Sequence, residues 1–462
     1  MVSEIIALKV LEAALSTGGD FSELFFEDTE GNNVSMVDGK IESASYKRSR
    51  GAGVRVLKGS QSGYAYTADL SEEALIKTAR AAAAVLNSQK GYNSMPIAKN
   101  RDYTQAVKRQ LKEVENAHRI DLLKRMHKAA KGYSPEISQV SARYLDVNRR
   151  IEIFNSEGLH VSDTQPRVRV AIEAVATKDG EAQSGFEGPG RGMGFEAFEL
   201  IDVEATALQA AKTAVTMLHG LPCPAKTVPV VIDGGFGGVI LHEACVHGLE
   251  ATSVAKGNSV FAGKLGQKVA SDIVTAIDDG TQKGEWGSIR IDDEGTESKR
   301  NVLIENGVLK SYLVDRLNAK KMNHPLTGSS RRQDYTYAPT SRMTNTFFAP
   351  GNDDEAEMIR SIDEGLFAAR MGGGSVMPLT GDFNFAVAEG YWIKNGEIVC
   401  PVRGATLIGR GADVLFKIDR ISKELWHGQG NCGSLSGMVP TNVGQPRIRV
   451  SEMVVGGKGG DI

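Results

Sequence analysis

Cysteine is scarce in this chain: Cys223, Cys245, Cys400 and Cys432 are the only four in 462 residues, with no short-spaced pair. So few thiols exclude a disulfide framework and point to a reducing, cytoplasmic setting. A long hydrophobic run is missing too. No stretch approaches ~18 uncharged apolar residues, so no membrane span is expected. The N-terminal MVSEIIALKVLEAALSTGGD carries Glu4 and Glu12 and lacks a basic start. It reads as an amphipathic helix and not as a secretory signal. Charge of one sign is absent: 54 basic residues face 57 acidic ones, a net −3. That balance gives no basic face for nucleic acid, and three tryptophans give no stacking platform for single strands. The phrases GAG (51–53) and GFEGPGRG (185–192) lack a Gly-Lys-Ser/Thr ending and are not GxGxxG turns, so nucleotide binding is set aside. No repeat of 20–50 residues and no low-complexity block is found.

What the chain does have is glycine, 52 residues of it, in clusters that suggest hairpins and close backbone approach. Apolar residues make up 41%, enough for a sizeable core. The length suits two or three domains of roughly 150 residues each. A helix is expected over 4–16, then strands near 23–28, 33–36, 41–47, 52–58 and 63–67, with Asp38-Gly39 as a tight turn. Asp69 or Ser71 caps a helix through 72–87, and 104–131 again reads as helical. Strands are expected within 136–176, with turns near Asn148-Arg149 and Glu157-Gly158. The Gly-rich GFEGPGRGMGFEAFE (185–199) precedes a helix near 203–218. HGLPCPAKTVP (219–229), with three prolines, marks the main boundary. Beyond it the pattern is mostly β. Asn306-Gly307 and Asn395-Gly396, each between apolar runs, predict hairpins, and a helix is expected near 353–368.

The phrase VVIDGGFGGVILHEACVHGLEA (230–251) carries chemistry. A short strand gives way to a glycine turn and then to a helical stretch with His242, Glu243 and His247. Imidazoles are good zinc ligands, and a glutamate beside the first can act as a general base on water. The usual zinc peptidase spacing is i, i+4, about 40° around a helix. Here it is i, i+5, about 140° on ideal geometry. A regular helix cannot aim both rings at one metal, so a π-type turn or an unwound end is required. Gly248 offers the second. On spacing alone, a packed His242 and a surface His247 compete with this reading. A catalytic zinc also needs a third protein ligand. Cys432 in GQGNCGSLSG, His427, His324, Glu250 and Cys245 are all open candidates.

At these residues the sequence resembles the TldD/PmbA family of modulator-of-gyrase-type metalloproteases. Matching text includes HEACVHGLE (242–250), GNSVFAGKLGQKVAS (257–271), IDDEGT (291–296), NVLIENGVLKSYLVD (301–315), PTSRMTNTFFAPG (339–351), GATLIG (404–409) and VGQP (443–446). The family hallmark is HExxxH, the unusual spacing found here. The resemblance implies Zn²⁺ held by His242, His247 and Cys432, with Glu243 as catalytic base. The intact motif places the chain on the catalytic branch, since the PmbA (TldE) branch lacks it. The resemblance further implies a cytosolic protease for short unfolded peptides. It implies a dimer, with a PmbA/TldE-type partner or with itself, enclosing the site.

Other residues join as substrate-binding candidates. Arg331, Arg332 and Arg342 could hold a peptide carboxylate or an oxyanion. Gly372, Gly373 and Gly374 could present backbone to an extended peptide, bound as an added strand. The expected fold is α+β: an N-terminal α/β domain (1–220), then a β-rich C-terminal metalloprotease domain (228–462) whose curved or barrel-like sheet carries the metal-site helix. The competing function is a non-catalytic peptide-binding or gyrase-modulating subunit, with a structural metal or none.

Overall fold

The structure, a computed structural model, describes residues 2–86, 93–377 and 380–462. Four long strands form the first sheet's centre: Phe21–Val37, Lys40–Lys58, Ile137–Asn155 and His160–Lys178. They pair antiparallel in the order 40–58, 21–37, 137–155, 160–178, with Gln61–Thr67 beyond one side and Glu181–Glu187 beyond the other. The candidates 23–28 and 33–36 are therefore one strand, as are 41–47 and 52–58. Gly31 joins the first pair. A Cβ there would sit 2.3 Å from the Asp146 carbonyl oxygen, so only glycine lets the neighbouring strand pass.

Two helix pairs bury separate lengths of this sheet. Glu4–Leu15 and Glu72–Ala83 pack Val10, Leu11, Leu75 and Ala79 against Leu24, Phe26 and Val54. Asn116–Lys131 and Val203–Leu218 pack Leu123, Met126, Ala210 and Ala214 against Tyr144, Val168 and Val170. Ser71, and not Asp69, is the cap of the second helix, accepting from Ala74 N at 3.3 Å. That helix ends at Ala83, and residue 87 of its expected range lies outside the described residues. The expected helix over 104–131 begins only at Asn116, after a single 3-10 turn at Leu111–Glu113.

In the second half, five strands close into a barrel: Glu364–Val376, Lys226–Ile232, Ile448–Gly456, Thr406–Arg410 and Asp382–Lys394, which pairs back onto Glu364–Val376. Val230, Ile232, Leu366, Phe385, Trp392 and Val450 fill it. A six-stranded sheet lies beside it and ends in the hairpin Gly437–Gln445 and Trp426–Ser434. The mixed α+β fold with a closed barrel matches the expected class. Asn306-Gly307 and Asn395-Gly396 both make hairpin turns with positive φ at each residue.

Two local readings fail for tertiary reasons. The helix expected over 353–368 is only Glu355–Arg360. Residues 364–376 are drawn into a strand because Val230–Ile232 pairs parallel with Leu366–Ala368 and closes the barrel. Asn148-Arg149 is no turn but the middle of a strand. Its charge serves a contact with the second half, where Arg149 Nη1 donates to Asp293 at 2.8 Å.

Candidate metal centre

The barrel strand Lys226–Ile232 runs into Gly234-Gly235, a 3-10 turn at Phe236–Gly238 and the histidine helix, Val239–Ala244. The glycines let backbone lie directly on backbone. A Cβ on Gly238 would sit 2.5 Å from Gly444 O, and one on Gly428 would sit 2.7 Å from Phe236 Cα. This close packing seats the start of the histidine helix on the hairpin that carries Cys432.

The i, i+5 spacing is resolved by an early break. The last α-helical bond near the motif runs from Cys245 N to Leu241 O at 3.1 Å. Cys245 then leaves helical geometry (φ −125°, ψ −61°), and a 3-10 segment, Val246–Leu249, carries His247. No π-turn forms, and Gly248 lies inside the 3-10 segment, so the unwinding falls three residues before it. The two histidine rings meet edge to face, 5.0 Å apart.

Cys432 projects from the strand Trp426–Ser434 toward both rings, its Sγ 3.2 Å from His247 Nε2. One ligand atom from each of His242, His247 and Cys432 lies within 4.8 Å of the other two. Burial pushes the Cys432 thiol up, but the charge and hydrogen bonds of the two histidines outweigh it and bring it down to about 3. Burial works against a charged His247, yet Glu250 and then Cys432 raise its pKa well above the usual value. His242 is 3% exposed, and its Nδ1 is buried without a hydrogen-bond partner. Glu243 Oε2 is 3.6 Å from His247 Nε2, on the thiol side of that ring, and its side chain is 30% exposed. Two imidazoles, a thiolate and an orphaned ring nitrogen in one buried cluster fit a soft divalent metal such as zinc.

Of the other candidates for the third ligand, three lie away from the cluster and Glu250 stands behind it. Cys245 faces an apolar pocket of Ile240, Val414, Leu415 and Val450, and burial alone pushes its thiol up to about 12. His427 packs edge-on against Phe347 at 5.6 Å. His324 Nδ1 sits 2.8 Å from the Pro325 carbonyl. Glu250 stands 3.3 Å from His247 Nδ1, on the far side of that ring.

The three arginines are buried and separate. Arg331 donates to Met343 O at 2.6 Å. Arg332 pairs with Glu23 at 2.5 Å and stacks 4.0 Å over Phe25. Arg342 alone reaches the cluster, donating to the Cys432 carbonyl at 2.5 Å. Gly372, Gly373 and Gly374 lie within the strand Glu364–Val376, where the register to Asp382–Lys394 slips between Met371 and Gly374. A cleft of about 500 Å³ lies instead on the first sheet, rimmed by Asp28, Glu30, Arg48 and Asp102, and includes none of the cluster. Sequence reasoning missed two residues that hold the cysteine strand from outside it. Arg169 donates to Gln429 O at 3.1 Å, and Trp286 donates to Gly430 O at 2.7 Å. With the partners 260 and 144 positions apart, no local signal could have found them.

Comparison with known proteins gives the family. Models of the PmbA/TldA metallopeptidase domains match in order: domain 1 over residues 22–86, the central domain over 109–218 and the C-terminal domain over 225–457. The chain is 35% identical to a metalloprotease TldD homolog of Haemophilus influenzae, over 95% of this chain and 93% of that one. It is 26% identical to a zinc metalloprotease TldD homolog of Saccharolobus solfataricus, over 97% and 99%. A Thermotoga maritima crystal structure, solved as that of a candidate DNA gyrase modulator, has the same fold. Its TM-score is 0.81 at 22% identity, covering 98% of this chain and all of that one.

Proposed function

The chain belongs to the PmbA/TldD metallopeptidase family, and from that premise we propose that it is a zinc-dependent peptidase for short or unfolded peptides. The observation that carries the proposal is the convergence of His242, His247 and Cys432 within 4.8 Å. These three would hold the ion. Three protein donors leave a position for substrate or water, whereas a structural zinc is closed by four. When bound, zinc would polarise a carbonyl and lower the pKa of a water molecule. Glu243 would take a proton from water on its carboxylate and return it to the leaving amine. Its partial exposure and its place on the thiol side of His247 suit that work. The competing reading, a non-catalytic modulator, has no use for a base at that position.

Peptide is held as an added strand. Glu364–Val376 pairs with Lys226–Ile232 only up to Ala368. The glycine turn and the histidine helix pack beside the same strand. Gly372, Gly373 and Gly374 lie further along that strand, and nothing comes within 4 Å of a Cβ placed on Gly373. Main-chain hydrogen bonds along such an edge bind with little side-chain preference and exclude folded substrates. We assign residues 1–220 and 228–462 as the two domains, pairing with a second copy or a PmbA/TldE-type chain. A reducing, cytoplasmic setting suits four free cysteines, and no described helix is long and apolar enough to cross a membrane.

The test is Glu243→Gln. It is expected to keep one zinc per chain and lose about 10²–10⁴-fold in peptide cleavage, the span of a lost general base. Near-parental cleavage would remove Glu243 from the mechanism, and a metal-free parent chain would remove the zinc.

A further inference from the structure

Glu250 and Arg342 stand behind the donor cluster. Both are buried, at 4% and 0% exposure, in a region where an unpaired charge is costly. Glu250 Oε1 lies 3.3 Å from His247 Nδ1, the ring nitrogen that faces away from Cys432. The same oxygen lies 3.7 Å from Arg342 Nε. The far end of that guanidinium turns to the other arm of the cluster. Its Nη2 donates to the Cys432 carbonyl at 2.5 Å, and its Nη1 donates to Gly437 O at 2.8 Å and Ser436 Oγ at 3.1 Å. The planar fork thus touches the carboxylate behind one donor and the backbone of another. The backbone at both places is pinned: Ala251 N, next to Glu250, donates to Leu313 O at 2.8 Å, and Arg342 N donates to Ser329 O at 2.9 Å.

We propose that Glu250 and Arg342 are a positioning pair that presents His247 and Cys432 to the metal as one preformed unit. Glu250 fixes the ring of His247 so that Nε2 faces the ion. Carboxylates play this part behind metal-bound imidazoles, and losing one typically costs about 10–100-fold in metal affinity. Arg342 does two things at once. It balances the buried carboxylate, and it locks the turn after Cys432 so that the sulfur stays near Nε2. A lysine could supply the charge but not the fork. Glu250 is therefore no fourth ligand, since it serves the wrong nitrogen, and Arg342 is no carboxylate clamp, since the protein's own groups occupy it. This inference rests on the metallopeptidase reading.

The test uses the full chain and measures zinc affinity by competition with a chromophoric chelator. Thiolate-to-metal absorption in the cobalt form reports whether Cys432 is still bound. Glu250→Ala and Arg342→Met are each expected to weaken zinc binding about 10–100-fold and to reduce the thiolate band. Glu250→Gln and Arg342→Lys, which keep shape or charge, should lose less. The double variant should lose less than the product of the single losses, because each change disables the same unit. Parental affinity and an unchanged cobalt spectrum in Glu250→Ala and Arg342→Met would overturn the proposal, as would strictly multiplicative losses. If Glu250→Ala fails to fold, Glu250→Gln decides: a weaker site supports the pair, and an unchanged one refutes it. A parent chain that binds neither metal would sink the metallopeptidase reading itself. A parent that binds normally beside variants that also bind normally would sink only the pair.

Discussion

Two regions of this molecule bury ionisable groups, and they do so in opposite ways. At the seam between the first sheet and the second half, the charges largely answer one another. Arg332 meets Glu23, Arg149 meets Asp293 at 2.8 Å and Glu27 at 3.3 Å, and Arg55 meets Glu294. Around His242, His247 and Cys432 the grouping is of donors, with a thiol forced toward thiolate and a ring nitrogen left without a partner. Paired burial holds two surfaces in register. Converging metal donors, with one ring nitrogen left over, define a place for something else. Burial and charge alone do not separate structure from function; whether opposite charges or metal donors converge does.

The strongest way to break this comparison is to remove a donor. Cys432→Ala is expected to lower zinc affinity far beyond the about 100-fold upper end for outer positions. Cys245→Ala, in its apolar pocket, should leave the metal in place and cost only stability. One zinc per chain at parental affinity in Cys432→Ala, by metal analysis after dialysis, would dissolve the distinction. Next in size is a cut at the seam. Arg332→Met strands Glu23, which is 1% exposed, and should cost about 3–5 kcal/mol in denaturant unfolding. Zinc affinity should be unchanged, and a loss comparable to that of Cys432→Ala would show that the two regions are one. The smallest expected change is a flat line. Because the metal-free Cys432 stays thiolate down to about 3, its alkylation rate should barely fall between about pH 8 and about pH 5. The sign follows from the lowered pKa: reactivity is lost only as pH drops through that value. Added zinc should suppress the reaction, and an ordinary thiol profile would mean that the histidines do not hold the sulfur as described.

Legibility in the sequence follows the range of the cause. The helix 203–218 was readable because its causes are local, down to the cap, where Asp202 accepts from Ala205 N. The Asn-Gly hairpins were readable for the same reason. Residues 364–368 were not, because a parallel strand more than a hundred positions earlier decides their conformation. At the site, the odd histidine spacing correctly demanded a distorted helix but named the wrong residue. The break comes at Cys245, whose side chain turns into the apolar core while the backbone changes course. Residues alone left five choices for the third donor. The geometry brings Glu250 to the far nitrogen of His247 and Cys432 alone to both histidines, because a hairpin far along the chain is laid across the glycine turn.

The cysteine strand has a consequence for how this molecule comes into being. Its sulfur lies 185 positions from the histidine it approaches, and its carbonyls are gripped by Arg169 and Trp286 from well upstream. Closing so long a loop is an entropic cost borne only once both ends have surfaces to dock on. A nascent or damaged copy therefore carries all three donors without the site. An enzyme that cuts slack polypeptide is most dangerous to its own kind while chains are still loose. On the proposed peptidase reading, the cutting site would not exist until the chain that carries it had ceased to be a substrate.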